Sequence, residues 1–171
     1  MDRPTTYRPG SALDGIGAPD APGLADIRQP AEQAYRLLHA GFTVAPIIAG
    51  LDKFANLLVD WTQYLAPIFP NLLGVSKTTF MYGVGVVEIA AGILVALKPR
   101  YAAYVVTAWL LGIILNLLIL GRYLDVALRD FGLALASLAL ARLAEARARQ
   151  ADRAAAPVAV DDDAAAVQPA A

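Results

Sequence analysis

A single uncharged run constrains this chain more than anything else in it. Tyr101–Gly121 is twenty-one residues long and carries no charge at all. A helix that crosses a bilayer needs about 20 predominantly apolar residues at 1.5 Å rise each. A buried helix of a soluble bundle keeps one apolar stripe and a charged opposite face. This run is apolar all round, so it reads as a membrane span. Thr78–Leu97 repeats the pattern over twenty residues interrupted by Glu88 alone. The composition agrees: 58% of the 171 residues are hydrophobic, 17% are charged, and the mean hydropathy is +0.52.

Two further segments complete the expected core. Leu37–Leu51 holds fifteen apolar or small residues with only His39 titratable, and flanking turns extend it to a span of about 34–58. The fourth span, about 123–143, has Phe131–Ala141 as its apolar body. With both termini inside, Lys and Arg divide ten to four in favour of the inner side. That asymmetry predicts an all-α, integral membrane, antiparallel four-helix bundle with both termini cytoplasmic. Lys98-Pro99-Arg100 predicts a tight inner turn, because proline cannot continue a helix.

The remaining segments read as accessory. Met1–Pro30, with five prolines and four glycines, predicts a disordered tail, and the Ala-rich stretch 146–171 predicts another. The start of the chain lacks the basic, apolar and cleavage regions of a signal peptide. The outer connection 59–77 is aromatic and is broken by Pro67 and Pro70. Either an interfacial helix at about Phe54–Leu65 lies on the outer surface, or the first span simply extends and turns at Pro67.

Composition also excludes chemistry. There is no cysteine, hence no disulfide, no Cys-ligated metal and no thiol intermediate in this chain. One histidine cannot form a His-rich metal site, and a net charge of −1 recruits no nucleic acid. Gly83–Glu88 is glycine-rich but sits inside an apolar helix, so it predicts packing rather than a phosphate loop.

The candidate site comes from the cost of polar groups in lipid, about 2.5–3.5 kcal/mol for a central charge. Glu88 is eleventh of twenty in its span and shares a face with Gly85 and Gly92. Arg36, His39, Thr43, Pro46, Gly50 and Lys53 follow one another by threes and fours along one side of the first span. Asp52-Lys53 ends that span, Arg129-Asp130 lies in the outer half of the fourth, and Asn116 in the outer half of the third. Lys53, Glu88, Asn116, Arg129 and Asp130 thus predict one polar cavity opening outward, with Asp52 and His39 as lesser candidates. An interhelical network that only fixes packing is the competing reading. In the cavity reading Lys53 and Arg129 hold an oxygen anion and Glu88 moves a proton. No residue set predicts a metal site or a catalytic nucleophile.

Gly50-Leu51-Asp52-Lys53-Phe54, Glu88-Ile-Ala-Ala-Gly92 and Leu128-Arg129-Asp130-Phe131 together resemble the DoxX-like family of four-helix bacterial membrane proteins. The resemblance spans about Tyr35–Leu143. It implies a multi-pass protein of the bacterial inner membrane, a membrane-embedded subunit of a quinone-linked redox or oxidative-stress complex. By motif match Lys53, Glu88, Arg129 and Asp130 would line the site, and a bound quinone is the cofactor it would take. Some relatives look like membrane subunits of thiosulfate:quinone oxidoreductase. Without cysteine this chain carries no persulfide itself, so an accessory subunit is expected over a stand-alone enzyme. Expected partners are lipids and other complex subunits, or further copies of the chain. A non-catalytic assembly subunit and a small-solute transporter or channel remain alternatives.

Overall fold

The computed structural model describes residues 24–156. The described chain is helical, and no strand occurs in it. In chain order it forms α1 (Leu24–Ala55), a 3-10 turn (Trp61–Tyr64), α2 (Ile68–Leu73), α3 (Lys77–Leu97), α4 (Pro99–Leu120) and α5 (Leu124–Ala155). Three helical stretches have the length and hydropathy to cross a membrane: Ile27–Ala55, Lys77–Leu97 and Pro99–Leu120. Helix α5 is long enough as well, but Asp125, Arg129 and Asp130 in its first half and Arg142, Glu145 and Arg147 in its second keep it outside that set.

Helices α3 and α4 begin and end within two residues of the apolar runs Thr78–Leu97 and Tyr101–Gly121. Ser76 starts α3 by accepting the Thr79 N–H on its hydroxyl, and Gly121 ends α4 in the left-handed conformation. Pro99 occupies the first position of α4, where its missing N–H costs nothing.

Both outer helices run further than the sequence suggests. Leu24–Pro30 belongs to α1, although it falls in the expected disordered tail, and α5 continues from Glu145 to Ala155 through Ala- and Arg-rich sequence of high helix propensity. The rest of both expected tails, 1–23 and 157–171, lies outside the described residues. The outer connection also differs from both expectations. Helix α1 stops at Ala55, so it neither extends to Pro67 nor gives way to an interfacial helix at Phe54–Leu65. Extended backbone, the 3-10 turn and short α2 fill the interval instead.

Packing is pairwise: α1 lies along α3, α4 lies along α5, and the Lys98 turn joins the pairs. Contacts between α1 and α3 run in opposite chain order. His39 meets Val95, Thr43 meets Gly92, Gly50 meets Gly85 and Phe54 meets Tyr82. A compact apolar core of Val95, Ala102, Ala103, Val106, Leu140 and Ala141 sits toward the Lys98 turn, with Tyr35, Leu38 and Phe42 of α1 against it. Ser137, fully buried, satisfies its hydroxyl on the Ala103 carbonyl at 2.7 Å. Large apolar side chains cover the outside, among them Leu37, Val44, Ile48, Leu118 and Leu128. An aqueous surface of that kind would be untenable, and lipid is its natural solvent.

Candidate functional site

The site begins with glycine. A Cβ on Gly50 would lie 2.6 Å from the Gly85 carbonyl oxygen, and one on Gly85 would lie 2.7 Å from the Gly50 carbonyl oxygen. About two turns further along, a Cβ on Gly92 would lie 2.7 Å from the Thr43 carbonyl oxygen. Backbone thus touches backbone along the α1–α3 seam, and only glycine fits at these three positions. Lys53 is three residues beyond Gly50, and Glu88 three beyond Gly85. Because the two helices run in opposite order, these steps lead away from each other along the seam, and the long Lys53 side chain, whose Cβ lies 3.2 Å from where a Gly85 Cβ would be, reaches back across it to Glu88.

There Lys53 Nζ donates to Glu88 Oε2 at 2.5 Å, with the two residues 3% and 9% exposed. The ammonium also lies 3.8 Å from the centre of the Trp61 ring, which supplies its negative π face. Phe54 and Tyr82 stack beside the seam with ring centres 5.1 Å apart, both partly open to the surroundings.

Asp52 turns the other way and builds the chain reversal after α1. Its carboxylate accepts the Leu57 and Leu58 N–H groups at 2.9 and 3.1 Å and the Trp61 indole N–H at 2.7 Å. Asn56 takes the left-handed conformation that ends α1, at φ 48°. Asp60 then starts the 3-10 turn by accepting the Thr62 N–H and hydroxyl, which hold its carboxyl below the ordinary range.

Asn116 docks the far side of the same loop. Its amide donates to the Tyr64 carbonyl at 2.6 Å and accepts the Ala66 N–H at 2.9 Å. Tyr123, at the mouth of α5, donates its hydroxyl to Gln63 and meets the Tyr64 ring edge-on at 4.7 Å. Leu65, Ala66 and Pro70 are buried. The connection is a plug seated in one end of the molecule, bolted to α1 by Asp52, to α4 by Asn116 and to α5 by Tyr123.

The sequence-derived candidates therefore divide among three arrangements. Lys53 and Glu88 meet directly. Asp52 and Asn116 hold the plug. Arg129 pairs with its neighbour Asp130, at 3.0 Å, and leaves its own side chain largely exposed. Asp52-Lys53 and Arg129-Asp130 do not pair with each other: among the described residues no hydrogen bond or ion pair joins them. Each charge finds a nearer partner, and a buried charge with a partner in reach has no reason to seek another.

His39 links α1 to the end of α3. Its Nε2 lies 3.0 Å from the Val95 carbonyl oxygen, and its ring stacks on Tyr35. In α3 that carbonyl would ordinarily accept the N–H of residue 99. Residue 99 is proline, so the His39 N–H takes its place.

Trp61 is a member that does not stand out in the sequence, where it is one aromatic among several in the outer connection. Its signal was available: an indole carries one donor and a cation-binding face, and the anion and cation of Asp52-Lys53 stand side by side. Among the described residues, no three His, Cys, Asp or Glu side chains come together to hold a metal. No family model, curated protein or solved structure matches the chain.

Proposed function

We propose that this chain is a membrane-embedded accessory subunit of a quinone-linked redox or oxidative-stress complex. In this reading the Lys53–Glu88 pair is the site for a quinone oxygen or a small anion. The observation that carries it is the pair itself. Two desolvated charges are held together by three glycines and an aromatic lid, where apolar side chains of the same volume would cost no more. Such intramembrane charges mark functional sites by default.

The residues fit a quinone chemically. The Lys53 ammonium has three donors and spends one on Glu88. The carboxyl of Glu88 can hold or release a proton, and the partly open Phe54–Tyr82 stack offers an apolar flank for a ring. A quinone would supply electron acceptance; the chain would orient its oxygen and manage a proton beside it.

The same proposal places the chain in the bacterial inner membrane as an antiparallel four-helix bundle with both termini cytoplasmic. The reversed order of α1–α3 contacts and the ten-to-four division of Lys and Arg support it. Helix α5 is the fourth member: Asp130 is buried beside Arg129, and Phe131–Ala141 is apolar.

The test is mass spectrometry of everything that purifies with the full chain in mild detergent. Lys53→Met and Glu88→Gln are run beside it, with Gly83→Ala as a control at an open position. The expected result is a quinone retained by the wild type and the control and lost from both site variants at unchanged helicity. A partner protein retained by all four, with no quinone in any, refutes the ligand site. It would favour an assembly subunit, a reading consistent with the apolar face of α1, where only 6% of the spanning window is buried.

A further inference from the structure

The four long helices are unequal. Helices α1 and α5 each have 32 residues, about 48 Å of helix, while α3 and α4 have 21 and 22, about 32 Å. Only the shorter pair matches a hydrocarbon layer of about 30 Å. Cross-helix contacts fix the relative depths. His39 of α1 reaches Val95 near the end of α3, and Tyr104 near the start of α4 reaches Glu145 of α5. The first turns of α1 and the last turns of α5 must therefore project beyond the Lys98–Arg100 turn. Arg147 joins the two projections, bonded to Glu32 and lying 4.4 Å from the Tyr35 ring centre.

The result is a notch, with the turn as its floor and two helices as its walls. It is an open groove of about 370 Å³. Tyr35, Pro99 and Ala144 make it largely apolar, and Lys98, Arg100 and Arg147 supply its charge. Arg147 already has Glu32. Lys98 and Arg100 have no carboxylate partner among the described residues, and both are exposed. Among the described residues, these two cations thus stand without a carboxylate at headgroup depth over an apolar cleft.

We propose that this notch binds an anionic phospholipid. The phosphate diester would sit on Lys98 and Arg100, and the glycerol and upper acyl segments would lie against the apolar walls. A zwitterionic lipid would bring its own cation toward Lys98 and Arg100 and bind less well. Free phosphate would leave the apolar walls unmatched. The inference rests on the membrane placement of α3 and α4, and not on the Lys53–Glu88 site.

The test is native mass spectrometry of the detergent-solubilised full chain, titrated with phosphatidylglycerol and, separately, phosphatidylcholine. The double variant Lys98→Gln/Arg100→Gln is compared with Arg149→Gln/Arg153→Gln, which removes the same charge at the same end but outside the notch. Phosphatidylglycerol should bind the wild type about thirtyfold more tightly than the notch variant, as expected for two near-surface cations. The control variant should stay within about threefold of wild type, since diffuse surface charge is screened. Equal binding of the two lipids to wild type would overturn the proposal. So would an equal loss in both variants, which would mean diffuse attraction, or displacement of the lipid by inorganic phosphate. Circular dichroism checks that both variants remain helical, as expected for exposed side chains.

Discussion

Removing one partner of the Lys53–Glu88 pair should be far worse than removing both. The ammonium and carboxylate are 2.5 Å apart and nearly sealed from their surroundings. Glu88→Leu strands the ammonium with only the Trp61 ring for company, and Lys53→Met strands the carboxylate. Each single change should cost about 3–5 kcal/mol, the usual penalty for an uncompensated buried charge. The double variant Lys53→Met/Glu88→Leu keeps the side-chain volumes and strands nothing. It should lie within about 1 kcal/mol of wild type, or be more stable. Independent effects would sum to about 6–10 kcal/mol, so the double-mutant cycle should show a coupling of about 5 kcal/mol or more. The assay is reversible unfolding in mixed micelles of rising SDS content. In a Trp109→Phe background, Trp61 fluorescence follows the pair directly, since its ring covers the ammonium. Single variants that each cost under about 1 kcal/mol and add without coupling would refute the reasoning. The pair would then behave like a surface salt bridge, and the site would be wet.

The other predictions concern the seam and the plug. Gly50→Ala and Gly85→Ala place a methyl group against a carbonyl oxygen that cannot rotate away, and each should destabilise by about 1–3 kcal/mol in the same assay. Gly83→Ala meets nothing within 4 Å and should be neutral or stabilising by up to about 1 kcal/mol. Asn116→Leu removes both bonds from α4 to the loop, costs about 1–3 kcal/mol for each backbone group left unpaired, and should make residues 61–73 the first site of limited proteolysis. Asp60 gives a pH dependence. Its carboxyl is held low by Thr62, so its contribution to the turn is complete above the ordinary value of 3.8 and is lost as pH falls through the lowered one. The Thr62 amide resonance should titrate with a midpoint below 3.8, and Asp60→Asn should abolish the transition.

Helices α3 and α4 were legible because nothing in them competes with the reading. They are apolar all round, of bilayer length, and punctuated by Ser76, the Lys98-Pro99 turn and Gly121. Glu88 was legible for the same reason, as the one charge in a span. The far ends of α1 and α5 were not. Leu24–Pro30 ends in a proline and carries polar residues that read as tail, and the long-range Glu32–Arg147 bond lies just beyond it in the same helix. The plug was illegible for a deeper reason. Asp52 bonds to residues five, six and nine positions on, and Asn116 reaches back 50 and 52 positions to Ala66 and Tyr64. Local pattern says that the loop carries aromatics and prolines. It does not say which distant amide will receive it.

The two adjacent charges Asp52 and Lys53 show why plug and pair belong together. One turn of helix separates residues 3.6 apart, so neighbours point about 100° away from each other. Asp52 faces the loop and Lys53 faces Glu88. Trp61 closes the circuit, donating its N–H to Asp52 while its ring covers Lys53. Any ligand reaching the ammonium from the plugged end must lift that ring, and lifting it breaks the indole bond to Asp52. Trp61→Phe separates the two roles. It keeps an aromatic face for Lys53 and deletes the bond to Asp52, a hydrogen bond to a charged group worth about 1.5–3 kcal/mol. The plug should loosen, seen as faster amide exchange at Leu57 and Leu58, while the Lys53–Glu88 coupling measured by the double-mutant cycle stays within about 1 kcal/mol of its original value. Loss of that coupling in Trp61→Phe would mean that the pair depends on the plug for its dryness rather than on the glycine seam.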